Sequence, residues 1–120
     1  MLIIDDSKTM RNFLAIIAEE CEFKTDQAKD GQDALEVLGS RDPFDIALVD
    51  WDMPRMNGLD FVKAVRAKSE YNEMKMMMVT THTAIDEVAE ALTEGANDFL
   101  MKPLTKEMLQ DKLKLLGFNF

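Results

Sequence analysis

Asp45-Ile46-Ala47-Leu48-Val49-Asp50-Trp51-Asp52-Met53-Pro54-Arg55-Met56-Asn57-Gly58 is the stretch whose reading decides the fold. Its first half reads as a strand buried on both faces, because four apolar residues follow one another without polar alternation. Its second half, punctuated by Pro54 and Gly58, reads as a loop, and Asp50 stands where the two meet. Junctions of this kind recur along the chain. Leu2-Ile3-Ile4 runs into Asp5-Asp6, Met76-Met77-Met78-Val79 into Thr80, and Phe99-Leu100-Met101 into Lys102-Pro103. In open sheets of parallel strands, ligands bind outside the carboxyl ends of the strands. Carboxylates, a hydroxyl and an ammonium would therefore converge on one edge. Crowded carboxylates repel one another unless a cation joins them, and oxygen donors suit Mg²⁺. A cation, a hydroxyl and a lysine around one carboxylate can hold a phosphoryl group there.

Between these strands the apolar period changes to that of helices. Met10, Phe13, Leu14, Ile17 and Cys21 mark a helix over roughly residues 8–20, with Ser7 as its cap. Phe23 to Ala28 alternates like an edge strand. Ala34, Leu35 and Leu38 give a second helix that Gly39 can end, and Leu59, Phe61, Val62 and Val65 a third. A polar connector, Lys68 to Glu73, leads to the methionine strand. Ile85, Val88, Ala89 and Leu92 form a fourth helix stopped near Gly95, and Met108, Leu109, Leu113 and Leu116 a fifth ending at Gly117. Five βα units in 120 residues imply an α/β fold, a doubly wound parallel sheet with helices on both faces.

Composition narrows the function classes. At 47% hydrophobic and 31% charged, the chain belongs with folded globular proteins and not disordered ones. A formal net charge of −9 argues against nucleic-acid binding and against anionic membrane surfaces. No apolar run approaches a membrane span, and the single cysteine, Cys21, has no internal partner, which fits a cytoplasmic setting. Ten methionines, four of them between Met74 and Met78, read first as core filling and second as an adaptable binding surface.

On the paired acids Asp5-Asp6, the segment Leu48 to Gly58, the Val79-Thr80 strand end and Lys102-Pro103, the chain resembles response-regulator receiver domains end to end. These are the acceptors of two-component signalling, and the likeness is to the chemotaxis-type single-domain regulators. The resemblance implies a flavodoxin-like (βα)5 fold with strand order 2-1-3-4-5, an order such regulators themselves illustrate, and one receiver domain over residues 1–120. It makes Asp50 the phospho-acceptor, with a histidine kinase or phosphotransfer protein as donor. Asp6 and Asp50 would ligate Mg²⁺ directly, Asp5 would act mainly through water, and the backbone carbonyl of Asp52 would complete the set.

The same resemblance gives Thr80 a hydroxyl contact to the phosphoryl group and aims the Lys102 ammonium at Asp50 across a cis Lys-Pro bond. Thr80 and Phe99 would form the switch; many relatives carry tyrosine at the place of Phe99, so here the ring is kept and its hydroxyl lost. Asp52 and His82 would tune the lifetime of the acyl phosphate. A downstream protein would bind the face made by the fourth helix, fifth strand and fifth helix.

Each residue also has a plainer reading. Asp50 could be a turn residue, Asp5 and Asp6 helix caps, Thr80 an ordinary β-branched strand residue, Lys102 a snorkelling cation, Phe99 core, and His82 a solvated loop histidine. Four motifs in order, each at a strand end, favour the site over its parts. An enzyme reading remains beside it. Asp50-Trp51-Asp52 satisfies the Asp-x-Asp motif of haloacid-dehalogenase-type phosphatases, with Thr80 and Lys102 as later phosphate contacts. Against that, the paired acids precede the nucleophile and no cap segment exists. A phosphorylation-independent interaction module is the third reading. Only Phe118-Asn119-Phe120 follow the last helix, so no output domain is expected; the chain fits a stand-alone receiver or one excised from a larger regulator.

Overall fold

The computed structural model describes residues 1–41, 43–81 and 85–119, with the side chain of Ile85 outside the description. Strands and helices alternate: β1 (Leu2–Ile4), α1 (Lys8–Glu20), β2 (Asp26–Ala28), α2 (Gly31–Gly39), β3 (Ile46–Asp50), α3 (Gly58–Arg66), β4 (Lys75–Thr80), α4 (Ile85–Glu94), β5 (Asp98–Met101) and α5 (Lys106–Leu115). All pairings are parallel, and the strands lie in the order β2-β1-β3-β4-β5. This is the doubly wound sheet read from the sequence pattern, in the strand order that the resemblance implied.

The period-two alternation of each central strand builds two cores. Leu2, Ile4, Ala47, Val49, Met76 and Met78 point to one face, where Ala34, Leu38, Phe61, Val62, Val65 and Ala91 from α2, α3 and α4 cover them. Ile3, Ile46, Leu48, Met77 and Val79 point to the other, under Leu14, Ile17, Ala18, Leu109 and Leu113 of α1 and α5. Met74, Met76, Met77 and Met78 are all buried, so the methionine run is core and not a binding surface. Cys21 is buried at the end of α1, and burial pushes its thiol pKa up.

Local signals explain the helix starts. Ser7 accepts from the Met10 amide at α1, Asn57 from Asp60 at α3 and Thr105 from Met108 at α5. Three expectations need correction. Phe13 is 42% exposed, since it lies about a quarter of a turn from the middle of the Leu14–Ile17–Ala18–Cys21 stripe. Ala89 and Leu92 are exposed, because α4 turns the small Ala91 into the core instead. Phe23 lies outside β2 and meets Phe118 edge-to-face at 5.5 Å, leaving a shorter edge strand.

The polar connector is not formless either. A 3₁₀ turn at Ser69–Tyr71 buries Tyr71, and Arg66 gathers the segment by donating to the carbonyls of Tyr71, Met74 and Gly95 at 2.7–3.0 Å.

Candidate functional site

Sheet register brings the strand ends together. Ile4 pairs with Val49, so Asp5 follows β1 level with Asp50 at the end of β3. Asp50 pairs with Val79, immediately before Thr80, and Thr80 pairs with Met101, immediately before Lys102. Five residues scattered over the chain thus share one edge because four strands stop at one level. Gly58 helps this by letting α3 start against the strand end: an added Cβ there would lie 2.5 Å from the Asp50 carbonyl oxygen.

The edge is acidic and partly enclosed. One carboxylate oxygen from each of Asp5, Asp6 and Asp50 lies within 4.8 Å of the others. Asp5 is 1% exposed and Asp50 6%, whereas Asp6 faces solvent. Lys102 Nζ donates to Asp5 Oδ2 at 3.0 Å and to Asp50 Oδ1 at 3.1 Å. The Lys102–Pro103 peptide is cis. Asp5 is held twice over, since the Ser7 amide donates to its Oδ1 at 2.9 Å and Arg11 to its backbone carbonyl at 2.7 Å. The plainer reading of Asp5 as a cap of α1 does not hold, since Ser7 is that cap and Asp5 instead accepts from the Ser7 amide.

Charge is unbalanced here. Burial and then the neighbouring Asp5 carboxylate raise the Asp50 pKa from 3.8 to about 6; Lys102 opposes them and Asp6 adds to the rise. Burial would lower the Lys102 pKa, but its hydrogen bond to Asp5 and the charge of Asp50 outweigh this and raise it. One ammonium thus serves two buried carboxylates with a third acid close by. The donor set, three hard oxygens with one side open to water, fits Mg²⁺, which keeps several waters and takes few carboxylates.

The other expected residues fall around this centre. Thr80 is buried at its strand end, and the Lys102 amide donates to its carbonyl at 2.8 Å. Asp52 is exposed on the loop after β3. Phe99 is half-buried on β5, with Lys112 Nζ 5.2 Å from its ring centre and bonded to Asp98 at 2.9 Å. His82 lies outside the described residues.

Sequence reading missed Asp30. It is 3% exposed, caps α2 by accepting from the Asp33 amide at 2.8 Å, and takes a two-pronged contact from Arg55 at 2.8 and 2.9 Å. Burial alone would raise its pKa; the Asp33 amide and Arg55 outweigh it and hold the carboxyl below the usual range. Asp30-Gly31 before an apolar helical run was a readable cap signal. The partner, 25 residues on, was not.

Comparison with known proteins agrees with this geometry. The family described as response regulator receiver domain matches residues 1–114. The chain is 37% identical to the chemotaxis protein CheY1 of Helicobacter pylori over 121 residues, 99% of this chain and 98% of that protein. It is 37% identical over 118 residues to a chemotaxis protein CheY homolog of Campylobacter jejuni, covering 95% of this chain and 88% of that one. Among solved structures, chemotaxis protein CheY4 of Vibrio cholerae superposes with a TM-score of 0.88 at 33% identity, over 95% of this chain and 94% of that one.

Proposed function

The chain belongs to the response regulator receiver family, and from that premise we propose that Asp50 takes a phosphoryl group from a histidine kinase or phosphotransfer protein. Receivers of the CheY type are signalling proteins and not classical enzymes; they act between histidine kinases and downstream targets. The proposed receiver spans residues 1–120, works in the cytoplasm, and serves a chemotaxis-type pathway. No described helix is long and apolar enough to cross a membrane.

The observation that carries the reading is the sharing of one lysine between Asp5 and Asp50. An Asp50 oxygen attacks the donor's phosphorus, the phosphorus–nitrogen bond to the donor imidazole breaks, and the imidazole leaves with its electron pair. A carboxylate is a weak nucleophile, so acceleration comes from positioning and from neutralised phosphoryl oxygens. Lys102 supplies one positive charge and the Thr80 hydroxyl a hydrogen bond. Asp6 and Asp50, with Asp5 through water and the Asp52 carbonyl, would hold Mg²⁺, which supplies the remaining charge neutralisation.

Thr80 shifting toward the phosphoryl group would free space for the Phe99 ring, and the α4–β5–α5 face around it would change its affinity for a protein target. Asp52 and His82 would set how readily water attacks the acyl phosphate. The phosphatase reading loses its support with family membership, since receivers carry their acid pair before the acceptor, as this chain does.

Acetyl phosphate with Mg²⁺, followed by intact-mass measurement, tests the assignment. One phosphoryl group should appear on the parent protein and none on Asp50→Asn or in the presence of chelator. Full labelling of Asp50→Asn would remove Asp50 as the acceptor.

A further inference from the structure

The loop between β3 and α3 has a fastening of its own, away from the acidic cluster. Arg55 sits at φ +66, in the left-handed region that a residue with a Cβ enters only at a cost. The Met56 amide donates back to the Pro54 carbonyl at 2.7 Å, closing a three-residue turn about Arg55. A positive φ at the centre of such a turn marks its rarer and strained form. Strain of this kind persists only where surrounding contacts over-determine it.

Two contacts do so, and both lead to the start of α2. Arg55 Nε donates to Asp30 Oδ2 at 2.9 Å and Nη2 to Oδ1 at 2.8 Å, the planar fork that matches a carboxylate. Asp30 cannot drift, because its side chain is 5% exposed and its Oδ1 also accepts the Asp33 amide. Beside it, Met56 lies so close to Gly31 that an added Cβ would be 2.8–2.9 Å from three of its side-chain atoms. The far end of the loop is fixed by the Gly58 amide donating to the Trp51 carbonyl at 2.9 Å. Asp52 lies between the Trp51 anchor and the Arg55 fork, two residues after Asp50.

We propose that the Arg55–Asp30 fork positions the Trp51–Asn57 loop for the divalent cation, making both residues positioning residues for metal binding. This rests on the reading of Asp5, Asp6, Asp50 and the Asp52 carbonyl as the cation's holders. Neither Arg55 nor Asp30 touches the acidic cluster; they act by holding the backbone that follows Asp50. The fork ties that backbone to α2, so the cation meets a loop already set in place.

Charge alone and positioning give opposite signs for Arg55, which makes the proposal testable. Removing a cation near an acidic site strengthens Mg²⁺ binding by simple electrostatics. Loosening the loop weakens it, and the loss of a contact that orients ligands typically costs 10- to 100-fold in metal affinity. Trp51, the only tryptophan, adjoins Asp50, and its fluorescence is the signal to follow.

Mg²⁺ titrations of the full chain should show Arg55→Gln binding about tenfold more weakly than the parent. Asp30→Asn should fall in the same direction, Arg55→Lys should recover part of the loss, and the double variant should be no weaker than Arg55→Gln, because both residues serve one contact. Arg55 has a side chain 56% exposed, so Arg55→Gln keeps the fold. A merely structural role would lower its melting temperature in chelator and leave the Mg²⁺ midpoint where it was, which overturns the proposal. Equal or tighter binding by Arg55→Gln, or additive losses in the double variant, overturn it too. Absence of any Mg²⁺ response in the parent overturns the underlying reading of the site, and the proposal with it.

Discussion

Asp30 and Asp50 are both buried aspartates, 3% and 6% exposed, and each lies against a cation. Their carboxyls nonetheless move in opposite directions. At Asp30 the cost of burial is outweighed by the Asp33 amide and by an arginine fork belonging to it alone, and the pKa falls. At Asp50 burial is joined by the charge of Asp5, while Lys102 divides itself between the two, and the pKa rises to about 6. Burial does not distinguish structural from functional acids in this molecule. The ratio of positive charge to carboxylate does. Asp30 is matched by a cation of its own, whereas the Asp50 edge sets three carboxylates against one ammonium.

The sharpest break in this comparison is a pair of substitutions compared in chelator at pH 7 by urea unfolding. Asp50→Asn should stabilise the metal-free protein by about 2–3 kcal/mol, since a carboxyl raised by about two units is penalised when ionised in the folded state. Asp30→Asn should destabilise it by about 1 kcal/mol, because asparagine still caps α2 but no longer pairs with Arg55. The signs also separate by pH. Asp50 binds a proton more tightly folded than unfolded, so its contribution to stability falls as pH rises from about 4 to about 6. Asp30 is held low, so its contribution is present above 3.8 and is lost as pH falls through its lower folded pKa. Asp50→Asn should flatten the profile between pH 4 and 6, and Asp30→Asn only its acid end. Equal signs for the two variants at pH 7 would dissolve the distinction.

Mg²⁺ sharpens the same contrast with a nearly equal effect. At 100 times its dissociation constant it should add about 2.7 kcal/mol to the parent by mass action. Asp6→Asn should shrink that gain through weaker binding while relieving some repulsion in the metal-free protein. A thermal melt with and without Mg²⁺ measures both, and an undiminished gain in Asp6→Asn would take Asp6 out of the cation site.

How far the sequence could go follows the same division. The Asp50 edge was legible because its residues stand at the ends of apolar strands, where parallel topology forces them together whatever the details of packing. β1, β3 and β4 needed no tertiary information, being apolar on both faces. The Arg55–Asp30 fork was not legible: two loop residues 25 apart meet only because α2 and the β3–α3 loop share one sheet edge. α4 deceived for a related reason. Its Ile85–Val88–Ala89–Leu92 stripe has helical spacing, yet the residue of α4 that joins the core is Ala91, while Ala89 and Leu92 are exposed. Phe13 was missed for a local reason, its place off the centre of the α1 stripe.

The smallest expected effect comes from the opposite end of the sheet. Arg41 and Asp26 pair at 2.8 Å with both side chains about half exposed, and Arg41 also lies 3.8 Å over the Phe44 ring. Arg41→Ala should cost less than about 1 kcal/mol, and Mg²⁺ should stabilise that variant as much as the parent. A larger loss on urea unfolding would show that an exposed, balanced pair can matter as much as a buried, unbalanced one.

The most direct measurement is a carboxyl-carbon NMR titration of ¹³C-aspartate protein, followed at Asp30 and Asp50 in chelator and again in saturating Mg²⁺. In chelator Asp50 should titrate near 6 and Asp30 below 3.8. Mg²⁺ should pull the Asp50 midpoint down while leaving Asp30 unmoved. An Asp50 midpoint at or below 3.8 without metal, or one that Mg²⁺ does not shift, would contradict the claim that this edge is built short of positive charge.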